Sequence, residues 1–357
     1  MNFEFDVLEK KIGLDHPTYF IADIAANHDG NLDKAKNLIK LAAEAGADAV
    51  KFQHFMAKDI VSDKGFKDLQ GQHSHQAKWK KSVFEVYDDA SLPRMWTEEL
   101  QKTAQEYGVH FFSAPYDFEA VKLLNDINVP AHKIGSGDIT WTAIIDKIAA
   151  SGKPVLLASG ASNMDDVERA MDVLMKHDVP LCLMQCNTNY TGDLENLRHI
   201  HLNVLKTYSL LYPGVVLGLS DHTPGHSTVL GAIALGARMV EKHFTDDKNQ
   251  EGPDHAFSMD PKDWREMVDR SRELEAALGS TKKFVAENEQ KTVVLQRRCL
   301  RVKENLEAGT ILKEEDLEAL RPAPLDGVMP YDLEKLIGKE LVRPLESGTH
   351  ITFYDVK

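Results

Sequence analysis

The feature that most narrows what this chain can fold into is a rhythm. A short apolar stretch followed by a helical pattern recurs eight times between residues 19 and 279. The strand candidates are Tyr19–Ala25, Ala49–Gln53, His110–Ser113, His132–Ile134, Val155–Ala158, Leu181–Gln185, Val216–Leu219 and Met239–His243. Between them lie patterns such as LDKAKNLIKLAAEAGA, with apolar residues at i, i+3, i+4 and i+7, the stripe of a helix buried on one face. Gly46, Gly108, Gly152 and Gly236 sit just past helical stretches, where a left-handed cap is wanted. Eight β/α units in about 250 residues is the size of a TIM (β/α)8 barrel. A doubly wound sheet satisfies the same alternation, but a polar cluster after most strands favours closure.

Around that core, residues 1–18 alternate apolar and polar and read as a hairpin or cap. Residues 19–279 are the barrel, ending in the amphipathic DPKDWREMVDRSRELEAALGS. Residues 280–291 read as a polar linker. Residues 292–357 form a second small domain with EAGT and ESGT turns and a proline stop at Pro322. The segment Met56–Pro93 is longer than a connection needs and lacks clean periodicity, fitting a lid, a set of substrate contacts or a solvated insertion.

Composition excludes some functions. A formal charge of −14 argues against nonspecific nucleic-acid binding, which needs a basic face. It leaves room for an anionic small molecule, because a few lysines in one cleft set the local potential. Three cysteines without a CxxC point to a reducing cytoplasm. MNFEFDVLEKK lacks the apolar stretch of a secretion signal, and no run approaches membrane-spanning length.

Ligands of such folds bind at the carboxyl ends of the strands. Those ends carry Asp23 with Asn27 and His28, then Lys51 and Gln53, Ser113 and Tyr116, and Lys133, Ser136 and Asp138. Ser159 and Ser162, then Asn187, Thr188 and Tyr190, then Ser220, Asp221 and His222, and finally His243 complete the circuit. VVLGLSDH and ARMVEKHFT each deliver a histidine at a strand tip, so His222 and His243 can share one metal ion. Lys51 and Lys133 with neighbouring hydroxyls describe an anion cradle. Each feature alone is weak. A lone strand-end histidine is more often structural, a lysine is usually a solvated charge, and GSG at Gly135–Gly137 is as often a plain turn as a phosphate loop. The histidine pair is stronger; two ligands suit a catalytic metal that keeps positions open for water and substrate.

The strings IADIAANHDGNL, AGADAVKFQ, FFSAPYD, KIGSGD, LASGAS, GLSDHTPG, EKHFTDD, GPDHAFSMDP, QRRCL and LRPAPLDGVMP resemble, in order, those of the sialic acid synthases. The resemblance implies a TIM barrel followed by a small SAF (antifreeze-like) domain, in a domain-swapped homodimer where that domain reaches over the partner's site. It implies condensation of phosphoenolpyruvate with an N-acyl hexose, with Mn²⁺ or, failing that, Mg²⁺ or Co²⁺. Carried over by motif, Lys51, Lys133, Ser136, Ser159 and Ser220 match phosphoenolpyruvate-binding positions, and His222 and His243 the metal ligands. Gln53 and Asp254 match positions near the sugar and the metal water, Thr188 and Tyr190 belong to the sixth-strand motif, and Arg321 matches an arginine that contacts the N-acyl group. A base or electrostatic partner is wanted where water attacks, for which Asp23 and Asp254 are the candidates.

Three positions depart from the family pattern: Asp23 stands where Glu is usual, Ala114 where Thr is common, and CNTNYTG replaces CTxxYP. They leave N-acetylmannosamine and a 6-deoxy diacetamido hexose both open as acceptors. Two other functions compete: a 3-deoxy-octulosonate-type synthase, which generally lacks the second domain, and a non-catalytic carbohydrate-binding protein. The retained Lys51, Lys133, His222 and His243 argue against the latter.

Overall fold

A computed structural model describes residues 4–69, 79, 81–190 and 192–357. Two compact units divide the chain, Met1–Gly279 and Ser280–Lys357.

In the first unit β1 (Glu4–Val7) and β2 (Lys10–Gly13) form an antiparallel hairpin. The barrel strands follow: β3 (Tyr19–Asp23), β4 (Ala49–His54), β5 (His110–Pro115), β6 (His132–Ile134), β7 (Val155–Ala158), β8 (Leu181–Cys186), β9 (Val216–Asp221) and β10 (Ala237–His243). They are parallel and close in the order β10-β3-β4-β5-β6-β7-β8-β9. Most strand residues are buried on both faces, as a barrel wrapped in helices requires. Gly218 in β9 is needed for closure: a Cβ there would lie 2.9 Å from Cys182 Sγ, Met184 Cγ and the Met239 carbonyl. The first strand is shorter than its sequence suggests, because Ala25 takes φ +45° and turns the chain out of the sheet after Asp23.

The helices follow their stripes. In α1 (Leu32–Glu44) Ala35, Leu38, Ile39 and Ala42 are the buried face; Asn31 caps the start through the Lys34 N–H, and Gly46 at φ +93° lies just past the end. The long connection after β4 holds α2 (Ala57–Ile60), α3 (Asp63–Asp68) and α4 (Val83–Ala90), the last begun by a reciprocal Ser82/Glu85 capping box. Part of this segment, residues 70–78 and 80, lies outside the described residues. The helices after it are α5 (Thr97–Glu106), α6 (Phe118–Asp126), α7 (Thr142–Ala149), α8 (Met164–Met175), α9 (Val204–Leu211), α10 (Ser227–Ala234) and α11 (Pro261–Leu278). The hairpin closes the amino end of the barrel: Val7 and Ile12 are buried in the main core, Lys10 pairs with Asp48, and Glu9 meets His110.

The second unit has its own core of Leu300, Val302, Leu312, Leu317, Leu336, Leu341, Leu345 and Ile351. Helix α12 (Gln290–Gln296) crosses the expected linker boundary at 291/292. β11 (Cys299–Val302) pairs antiparallel with β12 (Leu317–Leu320). The EAGT and ESGT turns sit in equivalent settings, with Gly309 and Gly348 at φ +90° and +80°, and the Leu306–Leu345 bridge joins the segments that precede them. All three cysteines are free and buried.

Candidate active site

Strand register alone assembles the centre. His243 of β10 lies beside Asp23 of β3, which lies beside Lys51 of β4. One layer deeper Glu241 lies beside Ser220 of β9. Because side chains alternate along a strand, Glu241 and His243 share one face of β10 and Lys242 takes the other.

On the inner face Lys51 Nζ is 2.8 Å from Asp23 Oδ2 and 3.4 Å from Glu241 Oε1; Lys133 Nζ is 3.2 Å from that same Glu241 oxygen. The Ser220 hydroxyl donates to Glu241 Oε1 at 3.2 Å, and Gln53 Nε2 donates to Asp23 Oδ2 at 3.1 Å. The other Glu241 oxygen is buried without a hydrogen-bond partner. Burial opposes ionisation throughout, but Lys133 and Lys51 pull the Glu241 carboxyl down to about 2. Burial likewise opposes charge on Lys51, yet Asp23 and Glu241 hold its ammonium above its ordinary value. Burial raises the Asp23 carboxyl, Lys51 opposes that rise, and the neighbouring Glu241 charge adds to it, leaving the carboxyl above its ordinary value. Glu241 lies within β10 below its tip, so its sequence signal is only the two-residue spacing from His243.

The two imidazoles face each other, ring centres 5.3 Å apart. Asn187 presents its carbonyl 2.9 Å from His222 Nδ1, so that nitrogen donates and Nε2 keeps its lone pair. His243 Nδ1 is buried and unpartnered, while its Nε2 lies 3.8 Å from Asp23, beyond hydrogen-bond reach. Burial first, then the neighbouring His243, lowers His222 to about 3; burial, then Lys51, lowers His243 to about 3. Both rings are therefore neutral near pH 7. Among the described residues no group of three or more His, Cys, Asp or Glu converges as a metal cage.

These groups line a cavity of about 420 Å³. Ser136, Tyr190, Ser220, Gln53 and Asp254 line it as well. Tyr190 stands edge-on to His222 at 4.4 Å and Phe257 edge-on to His243 at 5.0 Å. Asp254 accepts the Ala26 N–H at 3.2 Å, and burial raises its carboxyl to about 7. Asp138 also faces the cavity, raised by burial to about 6.

Ser159 and Thr188 do not line the cavity. The Ser159 hydroxyl donates to the Met184 carbonyl and accepts from Tyr208, both at 2.9 Å. Thr188 packs near Gly160, where a Cβ would fall 2.6 Å from the Thr188 methyl and 2.8 Å from Ser136 Oγ. Gly160 instead donates its N–H to Ser136 at 3.0 Å. Arg321 belongs to the second unit, exposed, its Nε donating to the Gln296 carbonyl at 2.7 Å. Phe55, Ile60, Trp79, Val86, Tyr87 and Ala90, all from the long connection after β4, also line the cavity, so that segment contributes to the wall rather than being wholly solvated.

The NeuB family profile matches residues 38–283 and a SAF domain profile residues 297–357. The N,N'-diacetyllegionaminic acid synthase of Campylobacter jejuni is 35% identical over 325 residues, spanning 90% of this chain and 95% of that protein. Human N-acetylneuraminate-9-phosphate synthase is 32% identical over 340 residues, spanning 95% and 93%. The crystal structure of N-acetylneuraminic acid synthetase from Leptospira borgpetersenii in complex with citrate superposes with a TM-score of 0.71 at 28% identity, covering 82% of this chain and 96% of that one.

Proposed function

The chain belongs to the NeuB family, and on that premise we propose that it condenses phosphoenolpyruvate with the open-chain aldehyde of an N-acyl hexose. The products are a nine-carbon 3-deoxy-2-keto acid and phosphate. The observation that carries this reading is the meeting of Lys51, Lys133 and Glu241 with His222 and His243 in one cavity.

Phosphoenolpyruvate is a small polyanion, and the floor offers two buried ammonium groups that share an incompletely satisfied carboxylate. Lys51 and Lys133 hold its charges, with the Ser136 and Ser220 hydroxyls beside them. Ser159 acts at one remove, anchoring the strand end next to Gly160, whose N–H fixes Ser136.

Neutral imidazoles, one in a fixed tautomer and one with a buried unpartnered nitrogen, fit a borderline divalent cation. His222 and His243 are the residues that would hold it, with Mn²⁺ as the proposed ion and Mg²⁺ or Co²⁺ as substitutes. Its contribution, when bound, is to polarise the acceptor carbonyl.

The enol carbon then attacks that carbonyl and the new C–C bond forms. Positive charge grows on the phosphate-bearing carbon, which the Asp23 and Glu241 carboxylates stabilise across the floor. Water adds to that carbon and gives one proton to Asp254, whose carboxyl near 7 suits a base at neutral pH and which passes it to the alkoxide left by the acceptor carbonyl. The resulting adduct breaks its C–O bond to phosphate as its hydroxyl becomes the 2-keto group, and that proton leaves with the phosphate. Gln53 and Tyr190 position the sugar, and Thr188 supports that side of the pocket through its packing at Gly160. Arg321 contacts the N-acyl group in the partner's site of a homodimer. Among the described residues no helix is long and apolar enough to cross a membrane, and we place the reaction in the cytoplasm.

The test is incubation with phosphoenolpyruvate, Mn²⁺ and a panel of N-acyl hexoses, reading product mass. Chain-extended keto acid from at least one hexose supports the reading; phosphoenolpyruvate left intact with every hexose refutes it.

A further inference from the structure

Strand register brings one more polar atom to the anion floor. Ser113 of β5 lies beside His132 of β6, so continuing both strands sets Ala114 beside Lys133 and Tyr116 beside Gly135. Lys133 points inward to Glu241, and a residue two positions further on shares its face. Tyr116 and Gly135 accordingly both line the cavity, one layer above the lysine.

Gly135 has no conformational need to be glycine. Its φ of −67° and ψ of 152° are extended backbone that any residue adopts. The need is spatial: a Cβ there would stand 3.0 Å from the Tyr116 hydroxyl oxygen, tighter than such contacts settle. The next two ring carbons, at 3.5 Å, would be in ordinary contact, so the missing side chain makes room for a single oxygen atom. The ring that carries this oxygen is braced. Phe55 stands edge-on to it at 5.9 Å, and the Tyr116 backbone N–H donates to the His54 carbonyl at 3.0 Å.

The fold itself makes no use of that oxygen. Among the described residues no group hydrogen-bonds the Tyr116 hydroxyl, although a phenol in such a setting normally finds a partner. Burial first, then the charge of Asp138, holds its proton on well above the ordinary range, so it is a neutral donor at pH 7. A neutral donor suits a polyanion held by lysines that already share their charge with Asp23 and Glu241. Resting on the synthase reading, we infer that Tyr116 donates its hydroxyl to bound phosphoenolpyruvate, beside Lys133 and Ser136, and that Gly135 is the space that admits it.

The test is calorimetric binding of phosphoenolpyruvate, with KM measured for phosphoenolpyruvate and, at saturating phosphoenolpyruvate, for an accepted N-acyl hexose. Tyr116→Phe keeps the ring against Phe55 and removes one oxygen. It should weaken phosphoenolpyruvate binding and raise its KM by about 10- to 100-fold, the usual loss for one hydrogen bond to a charged group, and leave the hexose KM unchanged. Gly135→Ala crowds the same hydroxyl and should weaken binding as well. Added to Tyr116→Phe it should cost nothing further, because the contact it strains is gone. Phosphoenolpyruvate affinity unmoved by Tyr116→Phe overturns the inference, as does a rise confined to the hexose KM or a fully additive double variant. In those three cases the unaltered protein still binds phosphoenolpyruvate and the synthase reading stands. No binding by the unaltered protein removes both.

Discussion

Glu241 and Lys242 are adjacent on one strand and face opposite ways into two ion-pair networks, and the contrast between those networks separates what folds this protein from what it does. Outside the barrel wall, Lys242 Nζ lies 2.5 Å from Asp221 and 2.6 Å from the Thr223 carbonyl, while the Thr223 and Thr228 hydroxyls donate to the same carboxylate. Every oxygen of Asp221 is met. Inside, Glu241 divides one oxygen among two lysines and a serine and leaves the other bare. A closed network has nothing left to offer a ligand. An open one, beside a cavity, is held ready for one.

The sharpest way to break this comparison is Lys242→Met. It leaves Asp221 buried and unpaired, and such deletions cost about 3–5 kcal/mol. Urea unfolding should show that loss. The Lys242 ammonium, with burial opposing, holds Asp221 below its ordinary value. A depressed native carboxyl contributes stability that is present above the unfolded value near 4 and is lost as pH falls through the native one. The variant should therefore lose stability at neutral pH and show a weaker acid dependence. Unchanged unfolding at pH 7 would mean the outer network is not structural.

The next effect belongs to the inner network. Lys133→Met should lower kcat/KM for phosphoenolpyruvate by about 10²–10³-fold, the usual loss for one charge-stabilising group. Phosphoenolpyruvate is expected to raise the Tm of the unaltered protein and of folded Lys242→Met, and to leave that of Lys133→Met unmoved. If both variants keep the thermal shift, the lysine floor is not the anion site.

Proton transfer gives a smaller and graded signature. With Asp254 as the base, kcat/KM should rise with pH up to about 7 and then level, since the ionised form is required. Asp254→Asn should lose that limb along with most activity; an identical profile in the variant excludes Asp254 as the titrating group. Smallest is Ser159→Ala, which removes hydrogen bonds to Met184 and Tyr208 and should cost about 1 kcal/mol of stability. A large rise in KM for phosphoenolpyruvate without a stability change would instead put this hydroxyl on the substrate.

The same contrast explains what could be read from the sequence. Barrel strands announced themselves because burial on both faces demands unbroken apolar runs, and His222 and His243 because they terminate two of those runs. Glu241 sits within such a run, and only the period of two separates its face from that of Lys242. The end of β3 escaped notice because a positive φ at Ala25 has no side-chain signature. The apolar wall was hidden for a different reason. Its helix α4 carries a legible S-x-x-E cap at Ser82 and Glu85, but short helices whose partners are distant strand ends produce little periodicity. The roles of Ser159 and Thr188 depended on which way a hydroxyl turns, and that is decided by Met184, Tyr208 and Gly160 rather than by the local motif.

One measurement bears on the centre of this account: phosphate release from phosphoenolpyruvate with an accepted N-acyl hexose, in excess chelator and after Mn²⁺ is restored. The expected result is no release in chelator, recovery with Mn²⁺, and no recovery in a His222→Ala/His243→Ala variant that retains the fold. Full turnover in chelator, or in that double variant, contradicts it.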